Sequence, residues 1–344
     1  MKSENKTLKL LSIDLGFSAL KLAYTNNDGA LQYEKIVSGI AKLPEKPLEM
    51  DDFSLFQFNG EYFLLGNSSL KVPRSYLLNL EDYQQLKESY PIWISYLVKR
   101  FETRGLKFDK IIIGLSLAFK DKADELLDYL YETLMWPRES NMFICLPQGL
   151  SGKVSYNNHG LSLRETSSEP RLLNFLLVDG GMSTLDVVNI SSGGNAAGSA
   201  KGYPDTGVIV IARWIKEYLF KVYEIQVSTK EALTIFDNDG IFTKRGKKYD
   251  ISEKVSDFTR KYLSEVLKLI EEKNGEDLDV VSGIVFIGGI THLWKKYLTD
   301  DVMLKEISKH FAPSFIHVPD DGEFYNAAAY LEIVQYLIET GKLS

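Results

Sequence analysis

Residues 11–24 read LSIDLGFSALKLAY and residues 176–189 read LLVDGGMSTLDVVN, and the two stretches align without a gap. Asp14 falls on Asp179, Gly16 on Gly181, Ser18 on Ser183 and Leu20 on Leu185. Each copy is an apolar run ending in Asp, a Gly-containing turn with a hydroxyl, and a second apolar run. That pattern predicts strand, tight turn and strand, with a carboxylate at the end of the first strand. One such hairpin in each half predicts two similar domains facing each other across a cleft. Each would offer backbone amides for a phosphate and an Asp for a metal ion. A single hairpin reads as a β-turn with an incidental Asp; the repeat in register argues against that.

Outward from the first hairpin, GALQYEKIV (29–37) predicts a third strand. An irregular stretch with Pro44 and Pro47 follows, then a hairpin, FSLFQFNGEYFLLG (53–66), turning at Asn59-Gly60. Apolar spacing over 81–104 is helical, with an interruption predicted near Pro91. KIIIGLSL (110–117) and MFICL (142–146) read as buried strands around an amphipathic helix at 120–135, which indicates an α/β sheet with helical cover. The polar stretch 153–172 reads as a surface hairpin or loop. The second half repeats the plan, with strands in RLLNFLLVD (171–179), STLDVVNIS (183–191) and GNAAGSAKG (194–202). Helices over 206–222, 229–236 and 251–272, the strand VSGIVFIGG (281–289) and a helix over 324–339 follow. The expected division is a first domain at 1–150, with an insertion near 40–75, completed by a helix at 324–342. A second domain at 151–323 would carry a helical insertion near 205–275.

The chain has 344 residues, 44% of them hydrophobic and 25% charged, as in ordinary globular proteins. The net charge of -7 argues against a protein that grips nucleic acid directly, so DNA would need an adaptor. The polar start MKSENKTLKLL does not read as a signal peptide, and no apolar run is long enough to span a bilayer. The lone Cys145 reads as a small buried hydrophobe, and one cysteine allows no intrachain disulfide. A cytoplasmic protein without membrane contact is expected. The four histidines are scattered without metal-ligand spacing.

A nucleoside triphosphate with magnesium needs backbone N–H groups around its phosphates, carboxylates near the metal and an oriented water. Gly16 and Gly181 lack a Cβ and let the backbone approach a phosphate. Ser18 and Ser183 add hydroxyl donors, and Lys21 leaves the first hairpin where a cation reaches phosphate oxygens. Asp14 and Asp179 would hold Mg2+ largely through its waters. Asp186 reads as a strand-end residue. In CLPQG (145–149) Pro147 and Gln148 follow a strand where a helix is expected to start, and Gln148 is a candidate for orienting the attacking water. In VFIGGITHL (285–293) the pair Gly288-Gly289 closes a strand before a helix start, where a base or ribose can lie against the backbone. Asn326 with Ala327, Ala328 and Ala329 makes a small-residue face for close packing.

In this order the motifs resemble those of the actin–Hsp70–sugar kinase superfamily. IDLGFSALK is similar to its first phosphate loop, VDGGMSTLD to its second and FIGGITHL to its adenosine motif. LPQG and EFYNAAAYL are similar to its two connecting segments. Within that superfamily the likeness is greatest to the actin-like proteins of the ParM type, which segregate plasmids. The resemblance implies an actin-like fold of two RNase H-like domains, each with an inserted subdomain. It implies a nucleotide contacted by Gly16, Phe17, Ser18, Ala19 and Lys21, by Gly180, Gly181, Met182 and Ser183, and by Gly288, Gly289 and Ile290. Catalysis would fall to Gln148, Asp14 and Asp179. ATP or GTP with Mg2+, a polar filament of this chain, hydrolysis that loosens it, and a DNA-binding adaptor of the ParR type are implied. Met182 and Ile290 stand where many relatives have a small residue. Lys216-Glu217 or Lys230-Glu231 are candidates for the ribose. A metabolic phosphotransferase of the same fold and a non-hydrolysing scaffold remain alternatives.

Overall fold

The computed structural model describes residues 8–16, 18–46, 55–78, 82–163, 174–190 and 200–343. The chain divides into two compact units, Met1–Ser155 with Phe324–Ser344, and Tyr156–Glu323. The first unit opens with the hairpin of β1 (Leu10–Leu15) and β2 (Ala19–Thr25), paired antiparallel with Asp14 opposite Lys21. β3 (Leu31–Val37) extends it. β4 (Ile40–Leu43), β5 (Leu55–Phe58) and β6 (Glu61–Leu65) form a separate sheet in the order β4-β6-β5. The β5–β6 turn falls on Asn59 and Gly60, with φ of 48° and 81°. A type I′ turn requires positive φ at both positions, which Asn-Gly accepts.

α1 (Tyr83–Glu102), β7 (Lys110–Leu115), α2 (Ala123–Leu134) and β8 (Phe143–Pro147) complete the main sheet, ordered β3-β2-β1-β7-β8. The break expected at Pro91 is absent: α1 runs through it. A proline inside a helix costs about 3 kcal/mol. Trp93 and Ile94 beside it are fully buried, each contributing about 1.5–3 kcal/mol. Burial outweighs the lost backbone bond. β1 and β7 are buried along their whole length, as strands covered on both faces are. Leu11, Ile13 and Leu15 join α1 and α2 in one core.

α3 (Gly152–His159) carries the chain into the second unit. It occupies the start of the polar stretch read as a surface hairpin or loop; residues 164–172 of that stretch lie outside the described residues. Tyr156 is buried against the Phe175 ring at 4.6 Å, so a helix with one packed side was hidden by polar composition. β9 (Phe175–Gly180), β10 (Thr184–Ile190) and β11 (Ala200–Pro204) are antiparallel neighbours. Residues 194–199 of the third expected strand lie outside the described residues. α4 (Ile209–Tyr223) and α5 (Thr229–Asp237) follow as expected. The insertion is not wholly helical, because β12 (Ile241–Lys244) and β13 (Lys247–Asp250) form a hairpin that the sequence reading missed. Its strands are short and largely exposed, so they carry little apolar alternation.

α6 (Ser252–Leu278), β14 (Ile284–Gly288), α7 (Thr291–Tyr297), α8 (Asp301–Ile307) and β15 (Ile316–His317) complete the unit. Its sheet, β11-β10-β9-β14-β15, repeats the first: three antiparallel strands, then parallel ones. Leu176, Val178, Leu185, Val187, Ile284 and Phe286 pack with the helices in one core. α9 (Tyr325–Glu339) belongs to the first unit, where Ala327, Tyr330, Leu331 and Val334 pack on Leu10, Ala23 and Ile112. Its small residues allow close approach: Ala327, Ala328 and Ala329 are fully buried and Ser12 Oγ donates to the Ala327 carbonyl at 2.5 Å. Among the described residues no helix is long and apolar enough to cross a membrane.

Candidate functional site

Asp14 lies near the end of β1, on the face opposite Leu11, Ile13 and Leu15 by strand alternation. Its carboxylate is 3% exposed and held from two sides. Gln148 Nε2 donates to Oδ1 at 2.6 Å, and Lys21 Nζ lies 3.7 Å from Oδ2. Lys21 is the cross-strand partner of Asp14, so the tight turn itself delivers the cation. A buried carboxylate without such partners would be strongly destabilising. The Gly16 N–H closes the turn by donating to the Ala19 carbonyl at 3.0 Å. A Cβ on Gly16 would stand 3.2 Å from Lys21 Nζ, so glycine leaves room for the ammonium. Ser18 is exposed, and its carbonyl accepts from the Ser38 N–H at 3.0 Å. Ala19 is buried, and Phe17 lies outside the described residues.

Gln148 does not begin a helix as expected. β8 includes Pro147, a turn covers 148–151, and α3 starts at Gly152. The Gln148 N–H donates to the Leu115 carbonyl at 2.8 Å, tying this turn to the ends of β7 and β8. Gly149, at φ 71°, donates its N–H to Asn326 Oδ1 at 3.1 Å. Asn326 is buried in the first turn of α9, so that helix positions the loop bearing Gln148. Only the small-residue motif pointed at this region; the contact itself has no sequence signal. Cys145, two residues before Pro147, is half-buried rather than buried, and burial pushes its thiol up to about 12.

In the second unit the Gly181 N–H donates to the Thr184 carbonyl at 2.9 Å, the same closure that Gly16 makes to Ala19. Asp179, 7% exposed, faces Asp186 across the ladder where Asp14 faces Lys21. Asp186 is not a strand-end residue: it sits inside β10 at 1% exposure, flanked by β9 and β11. The turn carbonyls of Gly181, Met182 and Ser183 accept N–H bonds from Val208 (3.2 Å), Ile209 (2.8 Å) and Gly207 (3.3 Å). The first amides of α4, which have no partner within the helix, are thus satisfied by the turn. A Cβ on Gly207 would collide with the Met182 carbonyl, and Gly207 had drawn no notice in the sequence. The Met182 side chain packs against the core.

Gly288 pairs with Gly180 and takes φ 79°. A Cβ there would collide with the Asp179 carboxylate. The Ile290 N–H donates to the Gly180 carbonyl at 3.1 Å, and Thr291 Oγ1 donates to the Gly288 carbonyl at 2.9 Å. The Ile290 side chain is fully buried in the space a Cβ on Gly180 would fill, which leaves its backbone alone for a ligand. Gly289 beside it lies over the Gly180 carbonyl. α7, expected to present its N-terminus, has only seven residues. Lys216 Nζ donates to Thr229 Oγ1 at 3.1 Å. Glu231 caps α5 with Ser228 and pairs with Lys244 at 2.8 Å, while burial pulls the Lys230 ammonium down.

The first unit thus gathers Asp14, Gly16, Lys21 and Gln148, and the second gathers Asp179, Gly180, Gly288, Gly289 and Ile290. The turns set glycines beside buried carboxylates, where no side chain stands between the backbone and an approaching phosphate oxygen. Hard carboxylate oxygens suit a hydrated Mg2+. Among the described residues no three His, Cys, Asp or Glu side chains converge as metal ligands.

Residues 177–300 match the family model for the C-terminal part of the archaeal actin homologue MreB-like proteins. No curated protein matches the chain. Among solved structures, the ParM of a 15-stranded filament from Clostridium botulinum aligns at TM-score 0.73 and 16% identity, over 96% of this chain and 99% of that one. An archaeal actin homolog in complex with ADP aligns at TM-score 0.66 and 15% identity, over 96% and 100%. MreB5 of Spiroplasma citri bound to AMPPNP aligns at 0.64 and 14%, over 98% of each chain. The likeness read from the motif order therefore holds at the level of fold.

Proposed function

On an actin-like fold with a buried Asp near the end of the first strand of each repeated hairpin, we propose that this chain binds and hydrolyses ATP, or GTP, and polymerises while the nucleotide is intact. The hydrogen bond from Gln148 to Asp14 carries the reading. It ties a carboxylate suited to hydrated Mg2+ to an amide suited to orienting water. The nucleotide supplies the γ-phosphoryl group and Mg2+ offsets its charge. Gly16 and Gly181 bring backbone to the phosphates, and Lys21 turns its ammonium from Asp14 to phosphate oxygens. Gln148, donating through Nε2 to Asp14, keeps its amide oxygen free to accept from a water and aim it. The solved relatives support the reading: one forms a filament and others bind ADP or AMPPNP.

Loss of the γ-phosphate contacts from both hairpins would shift the favoured conformation and loosen the polymer. Moving a population from 1:99 to 99:1 takes about 5.5 kcal/mol of differential binding. Several charge-assisted hydrogen bonds of about 1.5–3 kcal/mol each suffice. With a net charge of -7, the polymer would reach DNA through an adaptor of the ParR type, and plasmid segregation is the role proposed for it. The test follows light scattering and phosphate release with ATP, GTP, ADP and a non-hydrolysable analogue. Gln148→Ala is expected to keep nucleotide binding, cut phosphate release by about 10²-fold or more, and leave long-lived filaments. Release at the wild-type rate removes Gln148 from the mechanism.

A further inference from the structure

The two ends of α6 carry opposite charge. At its N-terminal end the β12–β13 hairpin places Lys244, Arg245, Lys247 and Lys248 within five residues. Lys244 pairs with Glu231 and Lys248 acts on the nearby Asp250 carboxylate, whereas Arg245 and Lys247 are exposed with no ion-pair partner among the described residues. Exposed apolar side chains lie toward the open end of this hairpin. Phe220 and Val222 close α4 and Ile241 opens β12. The Tyr223 ring meets Tyr249 at 5.6 Å, and Tyr249 stacks on Phe242 at 5.0 Å, holding the end of α4 to the hairpin.

At the other end the chain reads EEKNGEDLDV over 271–280, with five carboxylates and one lysine. Glu276 and Asp279 are exposed with no ion-pair partner among the described residues, and Val280 beside them is 67% exposed. α6 spans 27 residues with a kink at Asn274 (φ -135°, ψ 24°), and its unbroken part, residues 252–273, is about 33 Å long at 1.5 Å per residue. Val255, Leu263, Val266, Leu267 and Ile270 anchor the unbroken part in the core of the second unit. Beyond the kink Leu278 packs against the same core and Asn189 Nδ2 donates to Asp277 Oδ1 at 2.6 Å, which holds the acidic end.

An antiparallel two-fold contact would also pair basic with acidic ends, but it closes at two copies, so the polymerising reading selects the open arrangement. A translation of one copy past the next brings basic apolar hairpin to acidic apolar end, and such heterologous contacts propagate into open polymers. We infer that the β12–β13 hairpin of one copy docks on the C-terminal end of α6 in the next, with Phe220, Val222 and Ile241 covering Val280. The inference rests on the polymerising reading and names one longitudinal contact. DNA is a poorer occupant for the hairpin, because the chain as a whole is acidic and repels phosphate at range.

The test compares Lys247→Glu/Lys248→Glu with Glu276→Lys/Asp279→Lys in ATP-dependent sedimentation, with nucleotide affinity and melting temperature confirming that both remain folded. Each variant has ends of like charge and is expected to need at least about tenfold more protein to assemble. An equimolar mixture restores opposite charges at every junction and is expected to sediment as an alternating copolymer near the wild-type threshold. If both variants assemble alone as wild type does, or the mixture stays soluble, the contact is wrong. It is equally wrong if the hairpin variant assembles normally but loses binding to duplex DNA. Failure of the wild-type chain to sediment with ATP, GTP or a non-hydrolysable analogue overturns the polymerising reading and this contact with it.

Discussion

Asp14 and Asp179 occupy equivalent places in the repeat yet have different partners: Lys21 faces the first and Asp186 the second. The register sets a lysine opposite the first carboxylate and an acid opposite the second, so the two hairpins are not interchangeable in charge. Glycine demands differ in the same way. Gly288 takes positive φ and sits under the Asp179 carboxylate, while a Cβ on Gly289 would have its nearest neighbour, the Gly180 carbonyl, at 3.5 Å. Gly288→Ala is therefore expected to cost about 1–2 kcal/mol from the left-handed backbone alone. Displacement of Asp179 should also weaken ATP binding about tenfold or more, a change worth about 1.4 kcal/mol. Gly289→Ala should keep the wild-type melting temperature. Calorimetric titration and thermal melts of both variants decide the point.

Elements in this chain are held by groups from other elements as much as by their own propensity. α4 begins on carbonyls of the second hairpin turn, and the Gln148 turn is fixed by Asn326 of α9. α8 shows the same dependence on α6: Asp300 accepts from the Met303 N–H at 2.9 Å and pairs with Arg260. That bond to Arg260, then the one from Met303, holds the Asp300 carboxyl below its ordinary value. A group whose folded pKa is depressed stabilises the fold above its unfolded value of about 4, and that stability is lost as pH falls through the folded value. Asp300→Ala is expected to cost about 1 kcal/mol at pH 7. The gap between wild type and variant in urea melts should narrow at pH 3. An equal gap at both pH values would assign the loss to packing.

Across the whole molecule, a ligand that binds only the folded chain stabilises it by mass action. ATP with Mg2+ at a hundred times its dissociation constant should add about 2.7 kcal/mol. Under the proposed function, removing Mg2+ with a chelator should take away most of that gain, because the carboxylates are proposed to act on the nucleotide through the hydrated ion. Melting curves with ATP, ATP plus chelator and no nucleotide measure it. A gain unchanged by the chelator would separate nucleotide binding from the carboxylates.

The repeated hairpin was legible because everything that makes it is local: two-residue alternation, a glycine turn, and closure from Gly16 to Ala19 and Gly181 to Thr184. Local pattern likewise placed the Asn59-Gly60 turn, most of the strands and helices of both sheets, and the order of motifs that implies the actin-like fold. Packing decided the rest. Pro91 stays within a helix because its neighbours are buried. Ile290 turns into the core because Gly180 leaves a space. Asn326 reaches Gly149 across 177 positions of sequence. Such outcomes depend on energies between segments far apart in the chain, and no short window of residues contains both partners.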